Sequence, residues 1–123
     1  MHKRKIFYVI MLMAGMVTLF SCEYEKIVYD VPDPTIQVSY ATDIQSIWNK
    51  GCVGCHGTGQ NTPDLTATNS YNALINGGFV DTAAPDQSVI YTSMISGGSM
   101  APYTNAKDAG TVLIWIQQGA KNN

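Results

Sequence analysis

Cys52-Val53-Gly54-Cys55-His56 sets two thiols three positions apart and an imidazole directly after the second. That spacing suits attachment of a c-type haem: each sulfur forms a thioether to a porphyrin vinyl group, and the adjacent histidine lies under the iron as its proximal ligand. Cys52 and Cys55 are therefore the expected attachment residues and His56 the expected iron ligand, with one covalent haem c as cofactor. A zinc half-site, a redox dithiol and an incidental match are the competing readings. Structural zinc needs four ligands, and the only other cysteine and histidine in the chain are Cys22 and His2. A thioredoxin-like dithiol opens a helix within a βαβ unit, whereas Gly57-Thr58-Gly59-Gln60-Asn61-Thr62-Pro63 reads as loop.

At the other end, Lys3-Arg4-Lys5 precedes the apolar run Ile6 to Phe20, followed by Ser21-Cys22. This is the layout of a secretory signal peptide, with an apolar run shorter than the ~20 residues a membrane span requires. Leu19-Phe20-Ser21-Cys22 also resembles a bacterial lipobox. Residues 1–21 are thus expected to be a lipoprotein signal peptide, and Cys22 the lipidated residue that anchors the chain to the membrane. The alternative is an ordinary signal peptide with a free thiol at Cys22. The expected location is the bacterial cell envelope, on an outer membrane facing the periplasm. Glu23 and Glu25 resemble the acidic surface-export signals of some Bacteroidetes lipoproteins and leave the cell exterior as the other face.

Past Ser21 the chain holds four basic side chains, Lys26, Lys50, Lys107 and Lys121, against all nine acidic ones, a formal charge of −5. Such a balance disfavours nucleic acid as a partner and suits encounter with a basic docking patch. The remaining length is enough for one modest core.

Residues 22–40 carry Pro32 and Pro34 and lack a helical repeat, so they read as the lipidated N-terminus and an extended tether. Ile36, Val38 and Tyr40 alternate with polar residues, which allows a short strand against the domain instead. Residues 41–123 form the expected domain. Its first helix spans Thr42 to Lys50, with Thr42 as N-cap and Ile44, Ile47 and Trp48 on one face. A second starts at Asn69 or Ser70, carries Tyr71, Leu74 and Ile75, and stops at Gly77-Gly78. A third starts at Asp86 or Ser88, with Val89, Ile90, Met94 and Ile95 as its apolar set. The last runs from Asn105 or Ala106 to Gln118, with Ala109, Val112, Leu113 and Ile116 as its buried stripe and Trp115 to one side. Asp64 and Asp81 read as turn residues with solvated side chains.

With one histidine left after export, the second axial position falls to Met94, Met100 or a lysine. Met94 sits among apolar helix neighbours, where methionine usually fills core space. Met100 lies in Gly97-Gly98-Ser99-Met100-Ala101-Pro102, a loop free of helical constraint, and is the better placed thioether.

The order of these features, a first helix, the Cys52 to His56 run, Pro63-Asp64-Leu65, the Met100 loop and a final helix bearing Trp115, resembles the small monohaem cytochrome c family over roughly residues 41–120. The segment Ser88-Val89-Ile90-Tyr91 and the close Trp115-Ile116-Gln117-Gln118-Gly119-Ala120 are similar to compact cytochrome c domains of Bacteroidetes-like and Planctomycetes-like envelope lipoproteins. The family usually has proline directly after the methionine, whereas Ala101 intervenes here. The resemblance implies an all-α, cytochrome c-like fold of about four short helices around one covalent haem. It implies that the Pro63 carbonyl accepts a hydrogen bond from His56 and that Leu65 lies against the porphyrin. It also implies one-electron transfer through iron held by His56 and Met100, with redox proteins as partners and no enzymatic turnover by the chain itself, which acts alone or as a subunit of a larger redox enzyme. The alternative is a gas-binding or peroxide-reactive haem protein with an open sixth position. The absence of arginine after Arg4 disfavours peroxide chemistry.

Overall fold

Ser39, not Thr42, begins the helical part of the chain. In the computed structural model, which describes residues 32–123, the Ser39 hydroxyl accepts from the Thr42 N–H at 3.4 Å while the Asp43 carboxylate accepts from the Ser39 N–H at 2.8 Å. This reciprocal cap satisfies two N–H groups at the helix start. The chain winds first through a π-helical turn, Tyr40–Ile44, and then into α1, Gln45–Asn49. Ile44, Ile47 and Trp48 are all buried, as their i, i+3, i+4 spacing requires. The expected signal peptide, Cys22 and the first part of the tether lie outside the described residues.

Three further helices follow: α2, Ser70–Asn76; α3, Val89–Met94; and α4, Ala106–Gln117. Single 3₁₀ turns over Cys52–Gly54, Pro85–Gln87 and Ala101–Tyr103 join them. Among the described residues there is no strand, so the architecture is all-α. In α2 only Ser70 and Leu74 are buried, and in α3 only Ile90 and Met94. Ile75, Val89 and Ile95, expected on the apolar faces, are exposed. A two-turn helix turns only one or two positions fully inward, and these three sit beside that line.

The longest helix, α4, starts where the Asn105 side chain accepts from the Asp108 N–H at 2.9 Å, and Asp108 adds a carboxylate to the positive end of the helix dipole. Its buried face is wider than the expected stripe: Ile114 and Trp115 join Ala109, Val112 and Ile116, while Leu113 is only half-buried. The reason is contact on more than one side, from the Tyr40–Ile44 turn, α3 and the Pro85–Gln87 turn. Trp115 lies with its ring centre 5.1 Å from that of Tyr40 and 6.4 Å from that of Tyr71, and its indole N–H donates to the Lys121 carbonyl.

The end of the expected tether belongs to this core. Val38 and Tyr40 are buried, whereas Ile36 is exposed. Among the described residues no neighbouring strand pairs with them. Val38 N–H donates to the Gln118 side-chain oxygen and Tyr40 N–H to that of Asn123, both at 2.9 Å. Side-chain amides thus take the place of a strand partner, and the packed domain begins before residue 41.

Candidate functional site

Gly51 ends the first helical segment and lets the chain turn into Cys52–Gly54. Along this turn the Cys55 and His56 N–H groups both donate to the Cys52 carbonyl, at 3.1 and 2.9 Å. The two thiols and the imidazole are therefore carried by one short, hydrogen-bonded unit. Both cysteines are free; Cys52 is half-buried and Cys55 exposed. Side chains built on Gly51 or Gly54 would meet nothing within 4 Å, so the backbone flanking the thiols faces open space.

His56 Nδ1 lies 3.1 Å from the Pro63 carbonyl oxygen. A carbonyl can only accept, so this contact calls for a proton on Nδ1, and in the neutral ring Nε2 then keeps its lone pair. The same loop closes a second time, because Leu65 N–H donates to the His56 carbonyl at 2.7 Å. Pro63 and Leu65 are buried, whereas His56 is half-buried. Cys52, Cys55, His56, Pro63 and Leu65 are thus gathered by the fold into one structure.

Asp64, between Pro63 and Leu65, keeps the turn role its sequence setting suggests, bonding the amide two positions on, and is half-buried by further partners. Its carboxylate accepts from the Thr66 amide and hydroxyl at 2.9 and 2.6 Å, from Asn69 at 2.8 Å and from Thr58 at 2.9 Å. The bonds from Thr66 above all, then those from Asn69 and Thr58, hold this carboxyl well below the usual carboxylate range. Asp81 fits the expected turn role, accepting from the Ala83 and Ala84 amides.

Met100 belongs to a different loop. Its N–H donates to the Ser93 carbonyl at 2.8 Å, and its carbonyl accepts from Tyr103 N–H at 2.9 Å. Gly98 makes this possible: a Cβ there would run into the Thr92 and Ser93 carbonyls at the end of α3. Met94 is buried in the core, whereas Met100 is half-buried. The Met100 loop reaches the thiol-bearing turn through its continuation, since Cys52 lines one open cleft with Tyr103, Thr104 and Asp108. The Thr104 hydroxyl is buried without a hydrogen-bond partner.

The environment of Cys52 is not that of an activated thiol. Burial pushes its thiol up, and the Asp108 carboxylate acts in the same direction, whereas nucleophilic thiols depend on a lowered value. Among the described residues no three His, Cys, Asp or Glu side chains are grouped to hold a metal ion by themselves, so the two sulfurs and the imidazole do not converge as a zinc site would need. The donor set fits a c-type haem: a half-buried and an exposed thiol on one turn, and an imidazole whose Nδ1 is already committed. Among the described residues no helix is long and apolar enough to cross a membrane. Compared with known proteins, the chain matches no family model, no curated protein and no solved structure.

Proposed function

We propose that this chain is a lipid-anchored monohaem c-type cytochrome that transfers single electrons between redox proteins of the bacterial cell envelope. The observation that carries this reading is the contact from His56 Nδ1 to the Pro63 carbonyl. A histidine that binds iron typically donates its other ring N–H to a carbonyl or carboxylate, which fixes its tautomer and raises its basicity. Here that bond stands beside two free thiols at haem-attachment spacing.

Cys52 and Cys55 would hold the haem as thioethers, His56 Nε2 would bind the iron, Leu65 would lie against the porphyrin, and the Met100 sulfur would be the iron's second protein ligand. Haem bound there supplies the ferric/ferrous couple. A thioether donor from Met100 would favour the ferrous form and raise the potential. Cys22 would carry the lipid.

Production in a host equipped for cytochrome maturation, followed by mass and visible spectra, tests the reading. A coloured protein heavier by one haem is expected, and a colourless product of apoprotein mass overturns it. Met100→Ala is expected to keep the covalent haem but to let the reduced protein bind carbon monoxide. Ready binding by the unaltered protein would replace electron transfer with the open-site alternative.

A further inference from the structure

The core holds few buried polar side chains, and two of them, Gln45 and Ser70, are bonded to each other and to Tyr40. Tyr40 Oη donates to Ser70 Oγ at 2.7 Å, and Ser70 Oγ donates to Gln45 Oε1 at 2.7 Å. Gln45 Nε2 then donates to the Leu65 carbonyl at 3.1 Å and to Asn49 Oδ1 at 3.0 Å. Every direction in this chain is forced. The Leu65 carbonyl has no proton to give, so the amide nitrogen must face it. The amide oxygen then faces Ser70, whose single proton is used there, and Tyr40 must donate.

A polar chain in a small apolar core costs stability unless all its members are satisfied, and this one ends on the backbone of the loop that holds His56. Leu65 accepts from Gln45 through its carbonyl and donates to the His56 carbonyl through its N–H. Two residues earlier, the Pro63 carbonyl accepts from His56 Nδ1. We infer that Gln45 is a positioning residue for the His56 imidazole: its side-chain amide fixes the Leu65 peptide, and through it the distance of the Pro63 carbonyl from Nδ1. The inference rests on the haem reading above, because it concerns the ligand strength of Nε2.

Gln45→Met keeps the length of the side chain and removes its donor. In the ferric holoprotein the expected result is a change in the low-spin electron-paramagnetic-resonance pattern and in the paramagnetically shifted His56 ring resonances. The ferric/ferrous equilibrium should move several-fold toward ferrous, since a weaker Nδ1 bond makes the imidazole less basic. Tyr40→Phe breaks the same chain at its far end and serves as the control for a purely structural role. It should lower stability and leave the His56 signature and the potential in place. If Gln45→Met does not yield folded protein, Gln45→Asn, whose amide is one methylene too short to reach Leu65, reads the same quantities. An unmoved signature in the Gln45 variant, or an equal change in Tyr40→Phe, overturns the inference while leaving the haem reading intact. A haem-free unaltered protein overturns both.

Discussion

The loop from Gly57 to Leu65 and the loop from Ile95 to Thr104 are nearly equal in length, but they are built differently. The first adds side-chain ties to its main-chain bonds: Asp64 to Thr58, Thr66 and Asn69, Asn61 to the Cys55 carbonyl, and Gln45 to Leu65. The second is held by main-chain bonds, including Gly98 N–H to Ile95, Met100 N–H to Ser93 and Ala101 N–H to Gly98. Its tight return onto α3 depends on the missing side chain of Gly98. One loop is therefore broken by removing atoms and the other by adding them.

The sharpest test of that contrast is Gly98→Ala. The added methyl meets two carbonyls at the end of a helix, neither of which can rotate away, so a loss of about 1–3 kcal/mol is expected, in the range of overpacked sites. Thermal or denaturant unfolding measures it, and an unchanged midpoint would show that the close approach is not limiting.

Asp64→Asn comes next. The bonded carboxylate of the folded chain takes up a proton less readily than the same group in the unfolded chain. Its contribution is therefore present above the unfolded value of about 3.9 and is lost as the pH falls through the lower folded one. The variant should melt below the unaltered protein at neutral pH, and the gap should close in acid. A gap that is constant with pH would show that the charge on Asp64 is irrelevant to the loop.

The smallest effect belongs outside both loops. Lys50 Nζ lies 2.8 Å from Asp108, but its side chain is 60% exposed, so Lys50→Ala should cost only about 0.2–1 kcal/mol and less in high salt. A larger loss would mean that the α1 to α4 contact depends on this pair.

The same division explains what could be read from the sequence. Cys52, Cys55 and His56 fall within five consecutive residues, so their grouping on one turn was visible without a fold, and the i, i+3, i+4 spacing of Ile44, Ile47 and Trp48 announced their burial. Gln45 gave no such sign. A glutamine beside an apolar residue on a helix looks the same whether it meets water or the carbonyl of Leu65, twenty positions away. For Asp64 a signal existed: aspartate two positions before threonine is the pattern of a carboxylate that bonds the amide of residue i+2. The bonds from Thr58 and Asn69 that complete its shell come from six residues before it and five after, at spacings that match no turn pattern. The alternation of Val38 and Tyr40 was legible, but their partners, Gln118 and Asn123, lie eighty or more residues onward, and the pattern alone does not tell a strand neighbour from a side-chain amide. The width of the α4 face was hidden for a similar reason, since it reflects which elements pack on Ile114 and Trp115.

Both indoles of this molecule, Trp48 and Trp115, are about 1% exposed, and the second packs against two phenol rings that also touch each other. The interior thereby carries its own optical gauge. Unfolding moves both chromophores from apolar surroundings into water, so the ultraviolet emission shifts to the red as the core opens, and the state of the fold can be followed without any added dye.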